Sequence, residues 1–131
     1  MAASESYPEE LKYHPEHDWA RIDGDEATMG VTWFAQDALG ELVHYEPPAE
    51  GSSTAKDASY GEVESVKAVS DLIAPLSGEI LEVNQAVVDA PETVNEDPYG
   101  EGWLVRIRLS DPSEVDTLLD VAAYMQLLEN E

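Results

Sequence analysis

With 131 residues, 29 acidic and 6 basic side chains and no cysteine, the chain has the size of one domain and a net charge of −23. Such acidity excludes the basic patch that nucleic acid or an anionic membrane surface requires, and the missing cysteines exclude disulfides, thiolate metal sites and a thiol nucleophile. The charge does not forbid a fold, because 43% of residues are hydrophobic and the acids are spread along the chain rather than gathered in a tail.

Residues 1–13 read as a loose N-terminal arm, with one short helical turn at 8–12. They carry neither the basic start and apolar stretch of a signal peptide nor the arginines of a transit peptide, and no apolar run is long enough for a bilayer. Residues 19–22 then read as a strand, Asp23-Gly24-Asp25 as a turn, and 27–31 as the return strand. Thr32 can cap a short helix through Trp33, Phe34, Ala38 and Leu39, with Gly40 at its stop. Residues 41–45 form a short strand ended by Pro47 and Pro48, which cannot donate to a ladder. Further strands are expected at 60–66 and 78–84, and 91–102 is a loop rich in Pro, Asn, Asp and Gly. In 103–109, Trp103, Val105, Ile107 and Leu109 alternate with Leu104, Arg106 and Arg108, the pattern of a strand with one solvated face. Ser110 or Asp111 can cap a helical stretch that has Pro112 in its first turn and Glu114 near its positive end. A second short helix starts at Asp120, with Val121, Tyr124, Met125 and Leu128 on one face. Short strands at regular spacing with helices at the margins give a mainly β fold, a small barrel or sandwich. It is read as a single domain over 1–131, with 1–10 as the arm.

Lys67 stands apart. Between Lys56 and Arg106 it is the one base among eleven acids. Val63, Ser65 and Val66 approach a tight connection, Ala68 and Val69 leave it, and Pro75 and Gly78 mark the bend into the next strand. Lys67 is therefore placed at or beside a hairpin tip. An ammonium on a flexible stem, exposed at a tip, is a target for acylation; the plain alternative is a solvated surface lysine.

The segment V-E-S-V-K-A-V-S-D around Lys67 resembles the lipoylation site of the glycine cleavage system H protein family. H-D-W at 17–19, G-D-E-A-T-M-G-V-T at 24–32, A-Q-D-A-L-G at 35–40, N-E-D-P-Y-G-E-G-W-L at 95–104 and S-D-P-S-E-V-D-T-L-L at 110–119 are similar to the same family, in order and with its spacing. Gly61 and Gly78 flank Lys67 as in lipoyl domains. The resemblance implies a lipoyl-type flattened β-barrel or barrel-sandwich hybrid with short helices at its margins and a C-terminal helical segment. It implies a carrier, not an enzyme. Lipoate would be attached by an amide to Lys67, on an arm reaching roughly 12–14 Å. The P-protein, a pyridoxal-phosphate glycine decarboxylase, would load the arm with the aminomethyl group of glycine. The T-protein aminomethyltransferase would take it off, the L-protein dihydrolipoamide dehydrogenase would reoxidise the arm, and lipoate-attaching enzymes would supply it. Among the positions matching the arm-contacting region of the family are Asp18, Asp71 and Glu16, with Asp18 foremost as a carboxylate for the cargo ammonium. The plain reading makes them surface acids, with Asp71 capping the hairpin locally. Trp33 and Ala38 depart from the family pattern, the latter where some relatives have histidine.

No constellation for catalysis is present, and His14, His17 and His44 lack close metal-ligand spacing, so no metal is expected. Trp19, Trp33 and Trp103 read as core or rim aromatics. The alternatives are a lipoate-relay protein, a lipoyl domain serving another complex, and, in another class, an unmodified acidic interaction domain; Val66 and Ala68 beside Lys67 disfavour biotin. A monomer in a prokaryotic cytoplasm is expected. The acid in excess of what docking needs reads as adaptation to a salty cytoplasm.

Overall fold

In the computed structural model, which describes residues 5–130, β2 (Asp18–Asp23) and β3 (Glu26–Val31) pair antiparallel with Asp23 opposite Glu26. Gly24 and Asp25 alone therefore turn the hairpin, and Gly24 takes φ 65°, a conformation that glycine adopts without strain. The helix that follows, α1 (Trp33–Leu39), begins where Thr32 Oγ1 accepts from the Ala35 amide and ends at Gly40, whose φ is 88° and whose N–H donates to the Gln36 carbonyl. The remaining elements are β1 (Lys12–Tyr13), β4 (Leu42–Glu46), β5 (Ser53–Thr54), β6 (Ser59–Ser65), β7 (Val69–Ile73), β8 (Gly78–Val83), α2 (Gln85–Asp89), α3 (Thr93–Glu96), β9 (Val105–Leu109), a 3-10 turn (Pro112–Thr117) and α4 (Val121–Glu129).

The strands form two antiparallel sheets and not a closed barrel: six strands in the order β1-β2-β3-β9-β8-β5, and three in the order β4-β6-β7. The period of two along each strand sets the core between them. Ala20, Ala27, Met29, Ile80, Val105 and Ile107 come from the larger sheet, and Leu42, Tyr45, Val63 and Leu72 from the smaller. Strand β2 is buried on both faces. Ala20 enters the central core, while Trp19 joins a second cluster with Leu11, Tyr13, Tyr99 and Tyr124 that α4 covers. Tyr13 and Tyr124 stack with ring centroids 4.6 Å apart, and the Trp19 indole N–H donates to the Pro98 carbonyl at 3.0 Å. Trp33 and Trp103 pack against this cluster as partly buried rim aromatics.

Several expectations are corrected. Residues 11–13 are not a loose arm: Leu11 and Tyr13 are buried, and β1 pairs with β2 across Lys12–Ala20 and Tyr13–Trp19. Tyr7 packs edge-on against Tyr124; residues 1–4 of the expected arm lie outside the described residues. The segment 84–96 holds two short helices, α2 and α3, because Asn84 accepts from the Ala86 amide and starts the first of them. The ladder of the last strand begins at Val105, so Leu104 departs from the alternation and is buried, its carbonyl accepting from the Tyr45 hydroxyl. In α4 the packed face is Val121, Tyr124, Leu127 and Leu128, and Met125 points to solvent. Asp111 does cap the 3-10 turn, and Asp120 caps α4.

Candidate functional site

Strands β6 and β7 meet at a tip made of Val66 and Lys67. Ser65 N–H donates to the Ala68 carbonyl at 2.7 Å, and Glu64 stands opposite Val69. The buried Ser65 hydroxyl accepts from the amides of Lys67 at 3.2 Å and Ala68 at 3.1 Å, a serine turn that fixes the backbone under the lysine. The Val66 amide donates to the Glu41 carbonyl, tying the tip to the start of β4. The backbone is thus fastened at three points while the Lys67 side chain is exposed and, among the described residues, forms no ion pair. Its stem passes Gly40, where an added Cβ would stand 3.6 Å from Lys67 Cε.

A cleft of about 370 Å³ opens beside the tip, lined by Gln36, Asp37, Gly40, Glu41, Glu92, Asn95 and Glu96. Asn95 on α3 holds the wall nearest the lysine. Its Nδ2 donates to Gln36 Oε1 and to the Gly40 carbonyl, and its Oδ1 accepts from the Leu42 amide. Ser65 and Asn95 were not singled out in the sequence. Ser65 carries a local signal, a serine two and three residues before the amides it accepts from; Asn95 acts across more than fifty residues and carries none.

The three acids expected near an arm are placed differently. Asp71 is exposed on β7, opposite Glu62, so it does not cap the hairpin; Ser65 does. Glu16 is exposed in the turn before β2, where its N–H donates to His14 Nδ1. Asp18 is buried at the start of β2 and accepts from the Tyr60 hydroxyl at 3.3 Å. Burial pushes its carboxyl well above the usual carboxylate range; the Tyr60 hydrogen bond pulls back, and the Glu16 charge pushes further up. Strand β6 connects these places, with Tyr60 near one end and Lys67 just beyond the other.

The histidines go three ways. With Nδ1 accepting from Glu16, His14 donates from Nε2 to Asp57 Oδ1 at 2.6 Å. This bond and that from Lys56 hold the Asp57 carboxyl below its usual range. His17 meets the Tyr124 hydroxyl and the Phe34 ring, and His44 is exposed on β4 opposite Glu64. Among the described residues no three His, Asp or Glu side chains are placed to hold a metal, and no helix is long and apolar enough to cross a membrane.

A family model described as "Glycine cleavage H-protein" matches residues 11–131. The glycine cleavage system H protein of Cyanothece sp. is 52% identical over 123 residues, covering 94% of this chain and 95% of that protein. That of Symbiobacterium thermophilum is 50% identical over 117 residues, covering 89% of this chain and 91% of that one. Among solved structures, a glycine cleavage system H protein from Mycobacterium marinum superimposes with a TM-score of 0.85 at 42% identity, over 92% of this chain and 97% of its own.

Proposed function

Since the chain belongs to the glycine cleavage H-protein family, we propose that Lys67 bears the lipoyl arm with which it serves the glycine cleavage system as carrier. The observation that carries this reading is an exposed lysine on a fastened tip, without an ion pair among the described residues. The residues fit the group: the ammonium is accessible for amide formation, Gly40 leaves room beside the stem, and a fixed tip turns the reach of an arm into a defined volume. Bound lipoate supplies the disulfide that takes up the aminomethyl group; the hard chemistry belongs to the P-, T- and L-proteins. The chain acts as one carrier domain, a monomer, and contributes no catalytic group. Intact mass of native material tests the attachment: a gain of about 188 Da on Lys67 is expected for one lipoyl amide, and its persistent absence would count against it.

Within this reading Asp18 holds the cargo ammonium. The Tyr60–Asp18 pair would receive the ammonium of a loaded arm, with Asp71 and Glu16 as outer carboxylates. A buried carboxylate is a costly group to retain, and an ammonium beside it favours its charged form. Asp18→Asn should shorten the lifetime of the loaded cargo about tenfold, the loss of one charge-assisted hydrogen bond, while lipoylation proceeds unchanged. The same variant should melt higher than the parent at neutral pH. Folding raises the proton affinity of Asp18, so the cost of its charge is absent below the ordinary carboxylate range and fully present above its raised folded value. The gain in melting temperature should therefore close as the pH falls into that range. An unchanged cargo lifetime removes Asp18 from the site.

The surface acid in excess of docking needs is assigned to a salty prokaryotic cytoplasm. Screening then relieves self-repulsion, and the melting temperature should rise by about 5 °C or more from low salt to molar potassium chloride. A flat dependence contradicts this.

A further inference from the structure

The outer face of the three-stranded sheet has an unusual arrangement of charge. Glu46 on β4 stands directly opposite Glu62 on β6, and Glu62 directly opposite Asp71 on β7, all three exposed. Like charges in directly opposed positions destabilise a sheet. Among the described residues none of the three forms an ion pair, although Arg106 and Arg108 on the other sheet are paired with Glu26, Glu82 and Glu79. Toward the tip the same face carries exposed valines around one further acid, Glu64, which stands opposite Val69 and His44. Val66 is 70% exposed, Val69 61%, and Val43, pushed outward where the β4 register shifts between Leu42 and His44, 49%. Lys67 follows Val66 at this end and is exposed.

We propose that this face is the docking surface for the enzyme that acylates Lys67, and that the enzyme meets it with an apolar centre rimmed by basic side chains. The inference rests on Lys67 being the attachment site. The reach of the side chain selects the occupant. A bare lysine extends only about 6 Å from its Cα, so an enzyme that receives Nζ must cover Val66 and Val69, whereas partners of the finished arm work at roughly twice that distance and can stand off. Charge complementarity gives the rim: a basic partner relieves the row of carboxylates, and the valines lose their water. With an acyl adenylate as donor, Nζ sheds one proton and attacks the carbonyl carbon. The amide C–N bond forms, the C–O bond to AMP breaks, and a second proton leaves nitrogen, so the charge of Lys67 is lost.

The test uses the full unmodified chain with a lipoate–protein ligase, lipoate and ATP, read by intact mass. Val66→Ser/Val69→Ser should raise the KM for the carrier about tenfold with kcat within about twofold. Glu46→Gln/Glu62→Gln should raise it about threefold at low salt and leave it nearly unchanged at high salt. All four side chains are exposed, so equal denaturation midpoints are expected for the variants. Acylation kinetics equal to the parent in both variants overturn the proposal. So does an equal loss in glycine exchange with carriers loaded to completion beforehand, which would assign the face to an arm-using partner. No mass gain in the parent chain is a separate result, removing the attachment site on which the proposal rests.

Discussion

Lys67→Arg should reduce carrier activity to the level measured with no carrier present, without altering the melting temperature by more than about 1 °C. The two halves of this expectation have separate causes. The tip is held by backbone and Ser65 hydrogen bonds, none of which uses the Lys67 side chain, and among the described residues the side chain makes no ion pair, so the fold has nothing to lose. Arginine keeps the positive charge and most of the length, yet its guanidinium stays protonated and offers no nucleophilic amine, so no arm can be attached. Mass spectrometry after incubation with an acylating enzyme, alongside the melting curve, checks both halves. Carrier activity surviving in the arginine variant would move the attachment elsewhere.

Gly78→Ala should have the largest effect on stability, about 3 kcal/mol or more, read as a fall in melting temperature of roughly 10 °C. Gly78 opens β8 between two neighbours, opposite Thr54 of β5 and Leu109 of β9. A Cβ there would run into the Arg108 carbonyl oxygen and stand 3.0 Å from Ile107 Cδ1, so the obstacle is backbone that cannot swing aside. The crossing from one sheet to the other is fastened at the same place. The Ser77 amide and hydroxyl donate to the Glu114 carboxylate, and Thr54 Oγ1 donates to the Leu76 carbonyl. Separating β8 from β9 therefore strains the turn that leads back to the lysine hairpin. Gly24→Ala is the comparison: nothing lies within 4 Å of its absent Cβ, and only the φ of 65° opposes it, at a cost of about 1–2 kcal/mol. Urea denaturation of both variants ranks them, and a milder Gly78 variant would mean that β8 and β9 can part without cost.

Why some elements were legible in the sequence and others were not follows from the range of the interactions that make them. The β2–β3 hairpin, the caps of α1 and α4 and the position of Lys67 between two strands are written in neighbours within four residues of each other. Gly61 and Gly78 were recognisable by resemblance to lipoyl domains, and the structure supplies their reason: a Cβ on Gly61 would lie 2.8 Å from the Glu46 carbonyl, as one on Gly78 would meet that of Arg108. Strands β1 and β5 have two residues each and no pattern of their own; they exist because Ala20 and Gly78 stand opposite them. Leu104 escaped its alternation because burial there is imposed by residues far along the chain. The Asp18–Tyr60 pair spans 42 residues, and nothing near either residue announces it. The carboxylate with the most perturbed surroundings was thus named from resemblance, while the hydroxyl that orients it was found only in the fold.

The charge of −23 takes on a finer structure in the same light. On the larger sheet, Arg106 and Arg108 pair with their acidic neighbours; on the smaller one, Glu46, Glu62 and Asp71 stand in a row that, among the described residues, forms no ion pair, on the hairpin that carries Lys67. A surface selected for stability alone would not place them so.

The most direct test of the carrier account is exchange of labelled bicarbonate into the carboxyl group of glycine by a purified P-protein. Adding the lipoylated chain should stimulate exchange saturably, and the unmodified chain or the Lys67→Arg variant should not. A lipoylated chain that leaves the exchange rate at the level of the P-protein alone would contradict it.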